Sequence, residues 1–226
     1  MSAIRVIVRK VHTDYMENNY DRLIEMLYPE RRTAVRRLRN RSAALVSLAA
    51  GLLLQDVAQK ELGIRPEDLV VAREEYGKPY IEGHMDFCYN ISHSGDYVVL
   101  AYGEMPVGVD IEQIREHDLD VAKRCFTAEE NEYILHGYRE GRGRLESATE
   151  YERFFQIWTM KESYLKLIGK GISIPLNSFE VSPYSMRVEG TDYSFDGRGI
   201  SDYHISVCAE DTSEIVYIFE EREPQL

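Results

Sequence analysis

The order of local patterns along this chain runs twice, and that doubling limits the fold more than any other feature. Strand-like Ile4–Arg9 opens a first pass. Helical patterns follow at about Glu17–Leu27, stopped before Pro29, and at about Thr33–Leu62, where Gly63 and then Pro66 supply the stop. Leu69–Ala72, Phe87–Ile91 and Tyr97–Tyr102 read as strands, the last two joined by the turn-rich Ser92–Asp96. Val107–Ile111 then opens a second pass. Helical patterns recur at Leu119–Arg124, at Thr127–Gly137 with a capping box in Thr127 and Glu130, and at Tyr151–Ile168. Strands at Phe179–Ser182, Tyr203–Ala209 and Ile215–Phe219 close it. Neither half is large enough for a sizeable core of its own, which predicts an α+β protein of two lobes packed together. Residues 1–105 hold the first lobe and 106–226 the second, parted where Gly and Pro punctuate Gly103–Pro106. Gly141–Gly143 reads as an exposed loop.

Charge narrows the partners. The chain has 27 basic and 39 acidic residues, a net −12 that argues against general nucleic-acid or anionic-membrane binding. Within it, Arg31–Arg41 carries six arginines (31, 32, 36, 37, 39 and 41) and no acid. Such a run is either a solvated helix face or a local anion site suited to a polyphosphate ligand. No apolar stretch reaches the ~20 residues a bilayer requires, since Ser47 and Gly51 interrupt Ala43–Leu54. The opening MSAIRVIVRK lacks the features of a signal peptide. Cys88, Cys125 and Cys208 have no metal-ligand spacing and read as reduced packing residues, so the expected location is the cytoplasm.

Three segments offer chemistry. In Val107-Gly-Val-Asp-Ile-Glu112, strand alternation sends Val107, Val109 and Ile111 to one face and Gly108, Asp110 and Glu112 to the other. Two carboxylates beside an unobstructing glycine suit Mg²⁺, or else form the solvated face of a half-exposed strand. In Phe154–Ile168, the positions Phe154, Ile157, Trp158, Tyr164, Leu165 and Ile168 make a helical apolar stripe with Lys161 inside it. An ammonium there needs an anion, which a bound ligand would supply. Glu162 and Lys166 flank the stripe at i, i+4 and on their own read as a surface ion pair. Asn90-Ile-Ser-His-Ser-Gly-Asp96 offers hydroxyl and imidazole donors to a phosphate, or a merely structural turn. Tyr76-Gly-Lys-Pro79 is a turn with one lysine. No P-loop, Rossmann fingerprint, nucleophile elbow or His–Glu zinc motif is present.

Taken in order, the arginine run after Pro29-Glu30, Tyr76–Pro79, Asn90–Ser94, Gly108–Glu112 and Trp158–Lys166 resemble the Sfp-type 4′-phosphopantetheinyl transferases over roughly Pro29 to Glu180. The resemblance implies a pseudo-twofold pair of lobes in a monomer, with coenzyme A in the cleft between them. It implies transfer of the phosphopantetheine arm to a serine of an apo acyl or peptidyl carrier protein, with release of adenosine 3′,5′-bisphosphate. Asp110, Glu112 and Glu162 match the Mg²⁺ ligands, Glu162 also the base, and Lys166 the residue that contacts phosphate and assists departure. Arg31, Ser47, Lys78, Ser92 and His93 match coenzyme A contacts, together with Asp110 and Lys166. Ala34 departs from the pattern, standing where relatives can carry a phosphate-binding lysine. Two rival readings use the same residues: a non-catalytic module that grips coenzyme A or a carrier protein, and a Mg²⁺-dependent phosphohydrolase.

Overall fold

The computed structural model describes residues 3–116, 119–139, 143–144, 148–210 and 214–221. The first pass gives β1 (Ile4–Lys10), α1 (Thr13–Asn18), α2 (Tyr20–Met26), α3 (Pro29–Arg37) and α4 (Arg41–Leu62). It ends with β2 (Val71–Arg73), β3 (Pro79–Ile81), β4 (Cys88–Ser94) and β5 (Tyr97–Gly103). The second gives β6 (Gly108–Gln113), α5 (Asp120–Cys125), α6 (Ala128–His136), β7 (Tyr138–Arg139), β8 (Gly143–Arg144) and α7 (Glu150–Ile168). It closes on β9 (Val181–Ser182), β10 (Arg187–Val188), β11 (Tyr193–Ile200), β12 (Tyr203–Glu210) and β13 (Ile215–Glu220). Gly141 and Arg142 of the expected loop lie outside the described residues.

Both lobes share one wiring. In the first sheet β1 pairs antiparallel with β5, which pairs with β4; in the second β6 pairs antiparallel with β12, which pairs with β11. The expected pseudo-twofold relation is therefore visible in the strand order. One element crosses over: β13 runs parallel to β1, Ile4 opposite Ile215, so residues 106–226 donate their last strand to the first sheet.

Alternation along the strands builds the layers. Ile7, Val98, Leu100 and Tyr102 face a core made with α4, whereas Val6, Val8, Val99 and Ala101 face Val107, Val109, Ile111, Ile205 and Val207 of the other sheet. The sheets thus pack face to face, and helices cover the outer faces, α4 on one and α7 on the other. Val107, Val109 and Ile111 are fully buried, as alternation requires. By length and composition α4 would suffice to cross a bilayer, but two-thirds of its most apolar window is buried inside the protein.

The expected helix Thr33–Leu62 is two helices. Leu38 turns extended (ψ 124°), and the Asn40 side chain accepts from the Ala43 N–H to start α4 anew. Asn19 likewise separates α1 from α2 within the expected Glu17–Leu27 helix. The β4–β5 turn sits at Gly95 (φ +50°), later than expected, leaving Ser92 and His93 on strand β4.

Candidate active site

The lobes meet along β4 and β6, joined by side chains acting as a strand partner. Asn90, Ser92 and Ser94 share one face of β4. Val109 N–H donates to Asn90 Oδ1 (3.0 Å), Ile111 N–H to Ser92 Oγ (3.4 Å) and Gln113 N–H to Ser94 Oγ (3.1 Å). The open edge of β6 is thereby satisfied without a neighbouring backbone. Each hydroxyl then turns to a carboxylate: Ser92 donates to Asp110 Oδ1 (2.8 Å) and Ser94 to Glu112 Oε2 (2.9 Å).

Helix α7 lies directly on β6. A Cβ on Gly108 would stand 1.9 Å from the Ser163 carbonyl oxygen and 2.6 Å from the Leu167 nitrogen. The missing side chain makes room for the helix backbone rather than for a ligand, which corrects the sequence-based expectation. That approach brings Glu162 and Lys166 over the strand's carboxylates. Lys166 Nζ donates to Asp110 Oδ1 (2.5 Å) and Ser92 Oγ (2.9 Å), so it pairs with Asp110 and ties the two lobes. The surface Glu162–Lys166 pair does not form, and Glu162 has no hydrogen-bond partner among the described residues.

These groups line a cleft of about 340 Å³ with His93 and Trp158. Burial raises the Asp110 pKa against the opposing pull of Lys166 and Ser92, and Asp110 Oδ2 is buried with no partner. Glu112 and Glu162 are raised by burial first and by the Asp110 charge second. Three mutually repelling carboxylates against one ammonium, with an orphaned oxygen, fit a hard divalent cation. Among the described residues no three such side chains stand as a preassembled metal cage.

A second pocket, about 360 Å³, shares Ile91, His93 and Lys166 with this cleft and extends to Arg31, Ser47 and Lys78. Lys78 Nζ donates to the Leu167 carbonyl (2.6 Å) at the end of α7, and burial lowers its pKa. Ala34 is exposed and lies off the pocket. The arginine run divides: Arg32 and Arg36 pair with Glu25 and Arg41 with Glu17, while Arg31 alone of the six lines the pocket. Most of the run is thus the solvated face, and the anion reading survives at one residue.

Lys161 also corrects an expectation. Its anion is Glu130 (2.7 Å), both side chains essentially unexposed, and it donates to the carbonyls of Leu176 and Phe179, each at 2.7 Å. Tyr28, Arg73 and Tyr89, which also line the pocket of Arg31 and Lys78, carried no local signal in the sequence.

Residues 106–208 match the 4′-phosphopantetheinyl transferase superfamily, and residues 14–105 match the 4′-phosphopantetheinyl transferase N-terminal family. A 4′-phosphopantetheinyl transferase of Bacillus subtilis is 34% identical over 177 residues, 76% of this chain and 75% of the relative. The 4′-phosphopantetheinyl transferase gsp of Aneurinibacillus migulanus is 37% identical over 176 residues, 78% and 70% of the two chains. A mouse L-aminoadipate-semialdehyde dehydrogenase-phosphopantetheinyl transferase is 28% identical over 195 residues, 74% and 61%. With both lobes matched and the two bacterial relatives, 34% and 37% identical, covered over more than two-thirds of their length, the chain belongs to the 4′-phosphopantetheinyl transferase superfamily and is an enzyme of that kind.

Proposed function

We propose that the seam between the lobes moves the 4′-phosphopantetheine arm of coenzyme A to a serine hydroxyl of an apo acyl or peptidyl carrier protein, releasing adenosine 3′,5′-bisphosphate. The observation that carries this reading is the convergence of Asp110, Glu112, Glu162 and Lys166 on one cleft that opens into a pocket bearing Arg31 and Lys78. The nucleotide end fits the pocket of Arg31 and Lys78, where Arg31, Ser47, Lys78 and His93 supply cationic and polar contacts to its phosphates. Asp110, Glu112 and Glu162 would hold Mg²⁺, which neutralises pyrophosphate charge when bound.

Glu162 is the residue placed to take the serine proton. Among the described residues its carboxylate has no hydrogen-bond donor, which leaves an oxygen open to accept that proton. It also lines an adjoining, more apolar cleft with Trp158, Leu165 and Leu176, which gives the acceptor a route to the same carboxylate. As the serine oxygen bonds to phosphorus, the bond to the departing bisphosphate breaks. Lys166, held by Ser92 and Asp110, stands ready to stabilise the oxygen that leaves. The enzyme works as a cytoplasmic monomer on this reading, which both half-sites in one chain and three free cysteines support.

Intact mass of an apo carrier protein after incubation with the enzyme, coenzyme A and Mg²⁺ tests the proposal. A gain of one phosphopantetheine is expected. Free phosphopantetheine released without acceptor would indicate a phosphohydrolase, and binding without any product a non-catalytic module. No observation favours either rival.

A further inference from the structure

Lys166 and Glu162 stand one turn apart on α7, the i, i+4 spacing at which a helical ion pair forms, yet the ammonium turns away from that partner. It donates instead to Asp110 Oδ1 at 2.5 Å and to Ser92 Oγ at 2.9 Å. The Asp110 side chain is 5% exposed and that of Lys166 28%, so the pair is desolvated at the carboxylate and open at the lysine. The oxygen that takes the ammonium belongs to one of the three carboxylates that would hold Mg²⁺. The other oxygen, Oδ2, is buried without a partner. A divalent ion on this carboxylate would meet a positive charge across it, which opposes metal entry while the ammonium stays. Lys166 also lines both cavities, the carboxylate cleft and the pocket of Arg31 and Lys78. Its flexible four-carbon stem lets the charge move from one to the other. A polyphosphate in that pocket gives the ammonium an anion to move to; a bare metal ion gives it none.

We propose that Lys166 is the resident counter-ion of the carboxylate cleft: it holds Asp110 against a free divalent cation and yields it only to a cation that arrives with a polyphosphate. Metal and coenzyme A are thereby admitted together, and the cleft does not fill with metal alone. The inference rests on the coenzyme A and Mg²⁺ reading above and adds to it a coupling between the two ligands. A lysine that only touched the phosphate would not influence metal binding when the phosphate is absent.

Calorimetric titration of Mg²⁺ into the full chain, alone and with saturating coenzyme A but no acceptor, tests it in wild type, Lys166→Met, Lys166→Arg and Lys170→Met. Lys166→Met is expected to bind Mg²⁺ alone about tenfold more tightly than wild type. With coenzyme A present it should bind Mg²⁺ no more tightly than wild type, so the tightening that coenzyme A gives the metal shrinks by about tenfold or more. Lys166→Arg keeps the charge and should leave Mg²⁺ alone as weak as in wild type. Lys170→Met removes the same charge from an exposed position just past α7, and should change either affinity by less than about twofold. No gain for Mg²⁺ alone in Lys166→Met, an equal gain in Lys170→Met, or the same gain with and without coenzyme A would each overturn the counter-ion. Should Lys166→Met fail to fold, Lys166→Gln is read in the same way. Wild type that bound coenzyme A and Mg²⁺ while the variants gained nothing would remove the counter-ion alone. Wild type that bound neither would overturn the coenzyme A reading itself, and the counter-ion with it.

Discussion

Two lysines five residues apart on α7 occupy opposite kinds of surroundings. Lys161 is sealed between α7, α6 and the loop before β9. Glu130 pairs with it, two carbonyls take its remaining donors, and Glu130 in turn accepts from Val181 N–H and closes the Thr127 cap. Lys166 lies at the lobe seam, partly exposed, against carboxylates that outnumber it and leave Asp110 Oδ2 and Glu162 unpaired. A closed polar network fastens elements together; one left open toward a cleft has capacity for a substrate. The same helix does both, with a different turn for each.

That contrast can be broken from either side. The largest effect is expected at the open end: Glu162→Gln should lower transfer by about 10²–10⁴-fold while the melting temperature stays near wild type, since the amide keeps the size but cannot act as base. Rate measurements at saturating Mg²⁺ check it, and full recovery of rate there would reduce Glu162 to a ligand. At the closed end the signs exchange. Lys161→Met should destabilise by about 3–5 kcal/mol in denaturant unfolding, because it leaves the Glu130 carboxylate buried without its counterion. Adding Glu130→Gln should recover part of that loss, and the folded fraction should keep its transfer rate.

Part of this contrast was legible beforehand. Alternation in Val107–Glu112 and the stripe of Phe154–Ile168 identify the strand and the helix, and their faces, from local spacing alone. Their meeting was not legible, because it depends on Gly108 admitting a helix some fifty residues later in the chain. Nor was Glu130 readable as the anion of Lys161: its capping role is local, its second role is a tertiary contact. The i, i+2, i+4 spacing of Asn90, Ser92 and Ser94 was in view, but nothing local says that the edge of β6 lies opposite. The crossover of β13 onto β1 is long-range for the same reason.

A smaller effect separates the regions by pH. His204, under α7, shares a hydrogen bond with Thr159 Oγ1 (2.9 Å), and burial lowers its pKa to about 4. The unfolded chain takes up a proton near pH 6.5 that the folded one refuses until about 4, so this group removes stability as pH falls through that window. Asp110, Glu112 and Glu162, raised in the fold, act with the opposite sign, so the difference between two proteins is the readout. Between pH 7 and 4.5 the stability of His204→Gln relative to wild type should rise by about 2 kcal/mol. An unchanged difference would mean that the imidazole is protonated in place. The smallest effect belongs to the solvated arginines: Arg36→Ala should change stability by less than about 1 kcal/mol and coenzyme A affinity by less than about twofold. A loss matching that of Arg31→Ala would return the whole run to the ligand site.

The open seam is the central claim, and Asp110→Ala and Glu112→Ala test it most directly. Intact mass of an apo carrier protein is followed over time at saturating coenzyme A and Mg²⁺, with the melting temperature of each variant measured alongside. The account predicts that both variants stay folded and that the gain of one phosphopantetheine nearly disappears. Near-normal rates from both would contradict it, since the carboxylates of β6 would then be part of the lobe fastening and the chemistry would lie elsewhere.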